Sequence, residues 1–429
     1  LKQMFLDLKA LGYQGSYDRV AAFGRQWKVG QIERVNSASK STYIPLSFAP
    51  GEAFQFDWSE DWAVINGERT KLQVAHFKLS HSRAFYLRAY LLQTHEMLFD
   101  AHAHAFTAFA GIPRRGIYDN MKTAVTKIKT GKQRDVNARF VAMTSHYLFD
   151  VEFCNPASGW EKGQVEKNVR DSRHRIWQRV PAFPNLAALN LWLAEECKRL
   201  WKEVKHPELD VSVWSAWCNE RTHLMPMGKP FDGFVEQTKR VSPTCLVTLD
   251  RNRYSVPSSF ANRPVSLRIY ADRLVIVVEG QAIAEHERII VRDHGPGQTI
   301  FDWRHYLAVL QRKPGALRNG APFSELPGAF KEMQSILLKR TGGDREMAEI
   351  LALVMFHDEK AVLSAVDTAL KSGAPSKQVV LNILSRLLDG TPTPAITAPQ
   401  ALRLSKEPIA DVGRYDSLRE NGDDHVDAV

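Results

Sequence analysis

The chain has 429 residues, with 57 Lys and Arg against 48 Asp and Glu, a formal charge of +9 and a pI near 9.3. A hydrophobic share of 44% and ten Trp exclude a disordered chain, and the length is enough for several buried cores. The four cysteines have no C-x-x-C spacing and no apolar run reaches 18 residues, which excludes a finger-type zinc site, a disulfide framework and a membrane span.

The surplus of base points to a polyanion partner, with nucleic acid as the first expectation, and the lone cysteines predict reduced thiols in a cytoplasmic, DNA-associated protein. The charge is uneven, because residues 392–429 hold four Lys and Arg against seven Asp and Glu.

Residues 2–11 read as a helix closed by Gly12, and Ser16 caps a second helix from Tyr17 to about Lys28. Leu1 falls inside the first pattern, so a chain trimmed at its N-terminus is expected. Helix, short glycine-containing turn and helix fit a helix-turn-helix DNA-binding segment over 1–28, as they also fit a plain helical hairpin. In the DNA-binding case Arg19, Arg25 and Lys28 would hold or read the duplex. Residues 29–50 lack periodicity and read as an extended linker.

From Gly51 the pattern turns to strands. Ala53 to Trp58, Trp62 to Asn66, Lys71 to Leu79 and Ala84 to Leu91 alternate or run apolar, and Asn66-Gly67 is a two-residue hairpin signal. A helix over Thr94 to Ala110, a short strand ending at Asp119, a helix over Val136 to Leu148, a strand over Val151 to Cys154 and a helix over Glu161 to Arg179 follow. The expected class is a multi-domain α/β protein whose core, residues 51–183, has a ribonuclease-H-like order. Beyond it we expect a helical region over 184–241 and a small β-barrel over 242–292. A C-terminal helical region over 293–390 and a disordered acidic tail over 391–429 complete the chain.

Three acids fall where that topology gathers function: Asp57 in the first strand, Asp119 at the exit of the fourth, and Glu166 early in the last helix. Three carboxylates supply the hard oxygen ligands that Mg²⁺ prefers, and two ions held together can drive a phosphodiester displacement; Mn²⁺ is a possible substitute. Glu161 competes with Glu166 as the third ligand, and Glu166 is preferred because it shares a helical face with Arg170 and Arg173. Asp119-Asn120 could equally be a turn. Base gathers round these acids: Arg114, Arg115, Lys122, Lys127, Lys129, Lys132, Arg134 and Arg139, then Lys162, Lys167, Arg170 and Arg173. Such runs fit a DNA channel, with Arg251, Arg253, Arg263 and Arg268 of the barrel as further phosphate contacts. His95, His102 and His104 are expected to be structural or exposed.

The series FDWSE, YDNMKTAV and GQVEKNV resembles the DDE catalytic core of integrases and transposases. With GYQGSYDRV, RYSVP and AEHER the whole chain is similar to IstA-type bacterial insertion-sequence transposases. The 47-residue interval from Asp119 to Glu166 is longer than that of retroviral integrases, and the base-rich stretch from Lys127 to Arg139 reads as an insertion.

The resemblance implies an enzyme that binds the terminal inverted repeats of its element, pairs two ends, and uses Mg²⁺ to cleave DNA and join its 3′-OH to target DNA. It implies a homodimer or higher oligomer and a helper AAA+ ATPase of the IstB type, since this chain has no G-x-x-x-x-G-K-[ST] loop. Two rivals keep the same acids or the same fold: a ribonuclease-H-fold nuclease that only hydrolyses, and a catalytically inactive DNA-binding regulator.

Overall fold

A computed structural model describes residues 2–41, 47–119, 125–128, 134–154, 175–177, 180–291 and 296–388. Two units emerge, 1–300 and 301–429.

The first unit begins with α1 (Lys2–Ala10) and α2 (Tyr17–Ser41), which meet through an edge-on contact of the Phe5 and Tyr17 rings. Here the expected linker is corrected: α2 runs 25 residues, so 29–41 is helical rather than extended. The segment has few Gly or Pro to stop a helix begun at Tyr17, and weak amphipathicity does not forbid one.

The central sheet is built from β1 (Ala53–Ile65), β2 (Glu68–Leu79), β3 (Phe85–Tyr90), β4 (Arg115–Tyr118) and β7 (Asp150–Phe153), in the order β3-β2-β1-β4-β7. The first three strands are antiparallel, while β1–β4 and β4–β7 are parallel. Parallel neighbours need crossover helices, supplied by α3 (His95–Phe109) and α4 (Ala138–Tyr147). This is the ribonuclease-H-like order expected from the sequence.

The two segments read as separate strands before Asn66 form one 13-residue strand. Asn66 (φ 50°) and Gly67 (φ 82°) then both take the left-handed conformation that a tight hairpin requires. An unforeseen strand, β8 (Ala182–Phe183), pairs in parallel with the far end of β1. The base-rich stretch contains a small unforeseen hairpin, β5 (Val125–Ile128) with β6 (Arg134–Val136).

Because strand side chains alternate, β1 sends Phe54, Phe56 and Trp58 to one face and Gln55, Asp57, Ser59 and Asp61 to the other. α3 covers the aromatic face through His102 and Phe106. The edge of the sheet at β3 is covered by α5 (Leu186–Glu203), whose Trp201 stacks on Phe109 of α3. Edge strand β3 would leave outward backbone groups unpaired, and α5 satisfies them. Asn190 accepts from the Ala89 amide at 2.7 Å and donates to its carbonyl at 2.9 Å, while Trp201 Nε1 donates to the Phe85 carbonyl at 2.8 Å. Trp201, Trp214 and Trp217, the last two on α6 (Val213–Glu220), pack against one another as anchors.

Residues 235–240, expected to be helical, form strand β9 (Val235–Arg240). β9 joins β12 (Pro264–Ile269), β13 (Arg273–Val278) and β14 (Gln281–Glu287) in one antiparallel sheet. β10 (Leu246–Leu249), β11 (Asn252–Ser255) and β15 (Thr299–Ile300) form a second, and the two share one apolar core that includes Val247, Tyr254, Leu267 and Ile276. This β region is tied to the central domain by a buried ion pair, Arg288 to Glu96 of α3 at 2.7 Å. Arg139 adds a second tie, donating to the carbonyls of Asp232 and Phe234 with its guanidinium 4.6 Å from the Phe234 ring centre.

The second unit is helical: α7 (Leu307–Leu310), α8 (Gly328–Leu337), α9 (Gly343–Ala352), α10 (Glu359–Lys371) and α11 (Lys377–Leu388). They bury Phe330, Met333, Leu351, Val362, Val366 and Val380 in a core of their own. The tail expected to be disordered lies outside the described residues. Among the described residues no helix is long and apolar enough to cross a membrane.

Candidate functional site

Asp57 and Asp119 come together through strand register. Phe56 of β1 pairs with Tyr118 of β4 in the parallel ladder, and in each strand the next residue is the acid. Neighbouring strands lie about 4.8 Å apart, so the two carboxylates leave adjacent strand positions. Asp57 is half-buried and its Oδ1 accepts from the Trp58 amide at 2.9 Å; Asp119 is exposed just past the end of β4. On the far side of β4, the Cys154 amide donates to the Tyr118 carbonyl at 2.9 Å, which holds the strand end from which Asp119 departs.

The face carrying Asp57 is polar beneath the surface. His76 is the direct cross-strand partner of Asp57 and is buried, as are Ser59 and Asp61. Ser59 Oγ donates to Asp61 Oδ2 at 2.7 Å and lies 2.8 Å from His76 Nε2. With the one hydroxyl proton given to the carboxylate, the imidazole Nε2–H donates to Ser59. Sequence reasoning missed this trio. The signal was present in the polar odd positions 57, 59 and 61 of a central strand whose even positions 54, 56 and 58 are aromatic.

Glu166 and its rival Glu161 lie outside the described residues, as do Lys122, Lys129, Lys132, Lys162, Lys167, Arg170 and Arg173. At the end of the expected helix Arg175 is helical, whereas Ile176 and Trp177 already form a turn buried in the core, so the helix stops before Arg179. Lys127 and Arg134 stand on the two strands of the β5–β6 hairpin. Among the described residues no cluster of three or more His, Cys, Asp or Glu could hold a metal ion. The two aspartates fit part of a Mg²⁺ ligand set, being hard oxygen donors brought to neighbouring positions.

Two members of the expected basic run serve the fold. Arg115 donates to Glu52 at 2.6 Å and to Glu152 at 2.5 Å, and Arg139 is spent on the tie to the β region. Arg268, expected to contact phosphate, lies over the Phe234 ring at 4.7 Å and faces Glu236 at 3.5 Å. Arg19, Arg25 and Lys28 are exposed on α2 beside exposed Phe23 and Trp27, and Arg251, Arg253 and Arg263 are exposed on the β region.

Of the histidines of α3, His104 is exposed beside Asp100 and His102 is structural. His102 is fully buried; its Nδ1 donates to the Leu98 carbonyl at 2.7 Å, which leaves Nε2 to accept from the Tyr118 hydroxyl at 2.7 Å. Burial pushes its pKa down to about 3 despite that backbone hydrogen bond, so the ring is neutral. Burial likewise raises the Tyr118 hydroxyl well above its ordinary value. Burial alone would raise Asp100, but hydrogen bonding from His104 and the Arg88 guanidinium bring it down to about 2. The cysteines are free thiols, with Cys197 pushed up to about 12 by burial.

Residues 225–302 match the family model described as Mu transposase, C-terminal domain. A transposase of Aminobacter aminovorans is 64% identical over 423 residues, covering 98% of this chain and 83% of that protein. The transposase for insertion sequences IS1326/IS1353 of Pseudomonas aeruginosa is 63% identical with the same coverage, and that for insertion sequence element IS21 is 28% identical over 68% of this chain and 73% of its own length. Among solved structures, the HTLV-2 integrase catalytic core domain in complex with magnesium aligns with 40% of this chain and 99% of its own, at 13% identity and a TM-score of 0.28.

Proposed function

The chain belongs to the IS21-type (IstA) insertion-sequence transposases and is a DNA transposase of the DDE class; from that premise we propose that Asp57, Asp119 and Glu166 are its metal ligands. The observation that carries this is the Phe56–Tyr118 register, which delivers two acids to neighbouring positions on the two central strands of a ribonuclease-H-like sheet.

When bound, a pair of Mg²⁺ ions supplies the Lewis acidity that activates an attacking hydroxyl and stabilises the leaving oxygen of a phosphodiester. In this reading Asp57 would help hold both ions, Asp119 one and Glu166 the other, each as a hard oxygen donor. Mn²⁺ has the same preference for oxygen ligands and is the expected substitute. The chain's own residues do the rest. β1 and β4 hold the carboxylates at a fixed separation, and the apolar layer beneath them keeps the strand ends from moving.

The substrates are the terminal inverted repeats of the element and the double-stranded target DNA. Arg19, Arg25 and Lys28 of a helix-turn-helix segment would hold the repeat. The basic stretch with Lys122, Lys127, Lys129, Lys132 and Arg134, the third-acid segment with Lys162, Lys167, Arg170 and Arg173, and Arg253 of a small-barrel module would track phosphates. Pairing two ends calls for at least a homodimer, with a helper AAA+ ATPase of the IstB type acting in trans, in the bacterial cytoplasm.

The test is strand transfer of pre-cleaved element ends into plasmid DNA in Mg²⁺. Asp57→Asn, Asp119→Asn and Glu166→Gln should each reduce joining by at least about a thousandfold, equivalent to some 4 kcal/mol of transition-state stabilisation, with end binding retained. Glu161→Gln should remain active. Joining by Asp57→Asn at the unsubstituted rate refutes the assignment, and hydrolysis without joining would favour a nuclease.

A further inference from the structure

The aromatic face of the central sheet bears on the acids of the other face. His102 has no exposed surface and sits among rings, stacked on Phe56 (centres 5.5 Å apart, 28° between planes) and on Tyr118 (5.8 Å, 28°). These two residues are register partners across β1 and β4, and each immediately precedes one acid. Burying an imidazole is costly unless both nitrogens are satisfied, and here both are: the Leu98 carbonyl takes the Nδ1 proton, and the Tyr118 hydroxyl donates to Nε2. A phenylalanine would fill the same space without that cost, so packing alone does not account for a histidine. What the imidazole adds is direction. β4 is four residues long and its last ladder residue is Tyr118, whose carbonyl is held by the Cys154 amide and whose side chain is a second hold on the strand end from which Asp119 departs.

We propose that His102 is the positioning residue of this site. Tied to α3 by Leu98, it holds Tyr118 by a hydrogen bond and Phe56 by stacking, and thereby sets the separation and pitch of the strand positions that carry Asp57 and Asp119. The inference rests on the proposed ligand role of those two acids. It adds that their geometry is controlled from the opposite face of the sheet, by a neutral group that touches neither metal nor DNA.

The experiment measures strand-transfer rate against Mg²⁺ concentration with pre-cleaved ends, together with end-DNA affinity. The variants are Tyr118→Phe, His102→Phe and His102→Gln, with Phe106→Leu as a packing control from the same aromatic layer. Tyr118→Phe keeps the ring and removes only the hydroxyl. It should raise the half-saturating Mg²⁺ concentration by about tenfold with end affinity unchanged, the size expected for loss of an outer-shell support. His102→Phe should shift it at least as far, and His102→Gln, whose amide both accepts and donates, should shift it less. Phe106→Leu should lower the melting temperature without moving the Mg²⁺ dependence.

The proposal is overturned if Tyr118→Phe and His102→Phe keep the unsubstituted Mg²⁺ dependence, or if Phe106→Leu shifts it equally. In either case Asp57→Asn and Asp119→Asn remain inactive. Activity in those two aspartate variants would overturn the ligand reading itself, which separates the two failures. Should Tyr118→Phe not fold, the difference between His102→Phe and His102→Gln decides the matter.

Discussion

Strand β1 offers a comparison within a single stretch of chain. Its even positions, Phe54 and Phe56, lie in an aromatic layer with Phe77, Phe106 and Tyr118, while its odd positions, Asp57, Ser59 and Asp61, form a polar row. Each face buries one histidine. On the aromatic face His102 is desolvated and neutral, fixed by one backbone carbonyl and one phenol; on the polar face His76 leans on a serine hydroxyl that is itself committed to a carboxylate. Close packing against a helix makes a surface rigid but chemically inert, whereas hydrogen-bonded polar groups can support charge at the cost of exact satisfaction. A site that must hold two carboxylates still uses one face for each task.

That contrast can be broken in three places. Truncating the rigid face should cost most: Phe56→Ala removes a fully buried ring and should lower unfolding free energy by about 3–5 kcal/mol in a denaturant titration. A loss below 1 kcal/mol would mean that the aromatic layer does not hold the sheet.

Ser59→Ala acts on the polar face. It deprives Asp61 and His76 of a shared hydroxyl, and should cost about 1–3 kcal/mol in the same titration. A neutral result would show that the two groups are satisfied without it.

The third effect is a pH dependence carried by His102. Its folded pKa, about 3, lies below the ordinary value of 6.5, so between those pH values the unfolded chain binds a proton that the folded chain does not. Stability is therefore full above about pH 6.5 and is lost as pH falls toward 3, by roughly 1 kcal/mol for each pH unit once below 6.5. Asp100, held near 2 against an ordinary 3.8, loses its contribution only at lower pH, whereas His95, also lowered by burial, acts in the same window, so the share of His102 is the difference between the unsubstituted chain and a His102 variant from pH 7 to 4.5. A His102→Leu variant should show a correspondingly flatter slope over that range; an unchanged slope would mean that other groups carry it.

Much of this architecture was legible in local pattern. The alternation in FQFDWSE, the Asn66-Gly67 turn and the apolar runs of β2 and β3 each carry their own periodicity, so the strands and the hairpin could be read. The misreadings fell where local signals are weak. Residues 29–41 have no strong amphipathic stripe, yet nothing in them ends a helix already under way. Val235 to Arg240 has mostly exposed side chains and gains its strand character from pairing with β12. Arg115, Arg139 and Arg268 read as DNA contacts because charge in a sequence does not reveal its partner; each turned out to meet a carboxylate, a carbonyl or an aromatic ring of the same chain.

The sequence by itself determined which side chains could do chemistry and on which face of β1 they stand, because alternation along a strand is a property of the local backbone. It also held the family likeness, spread over motifs from Gly12 to Arg288. Only the tertiary structure decided that Phe56 is paired with Tyr118, that His102 lies against both, and that Arg288 of the AEHER motif is a buried partner of Glu96 rather than a surface charge. The physical reason is distance along the chain. Ladder register and buried ion pairs join residues tens to hundreds of positions apart, and their energies depend on burial and geometry that no local window of sequence contains.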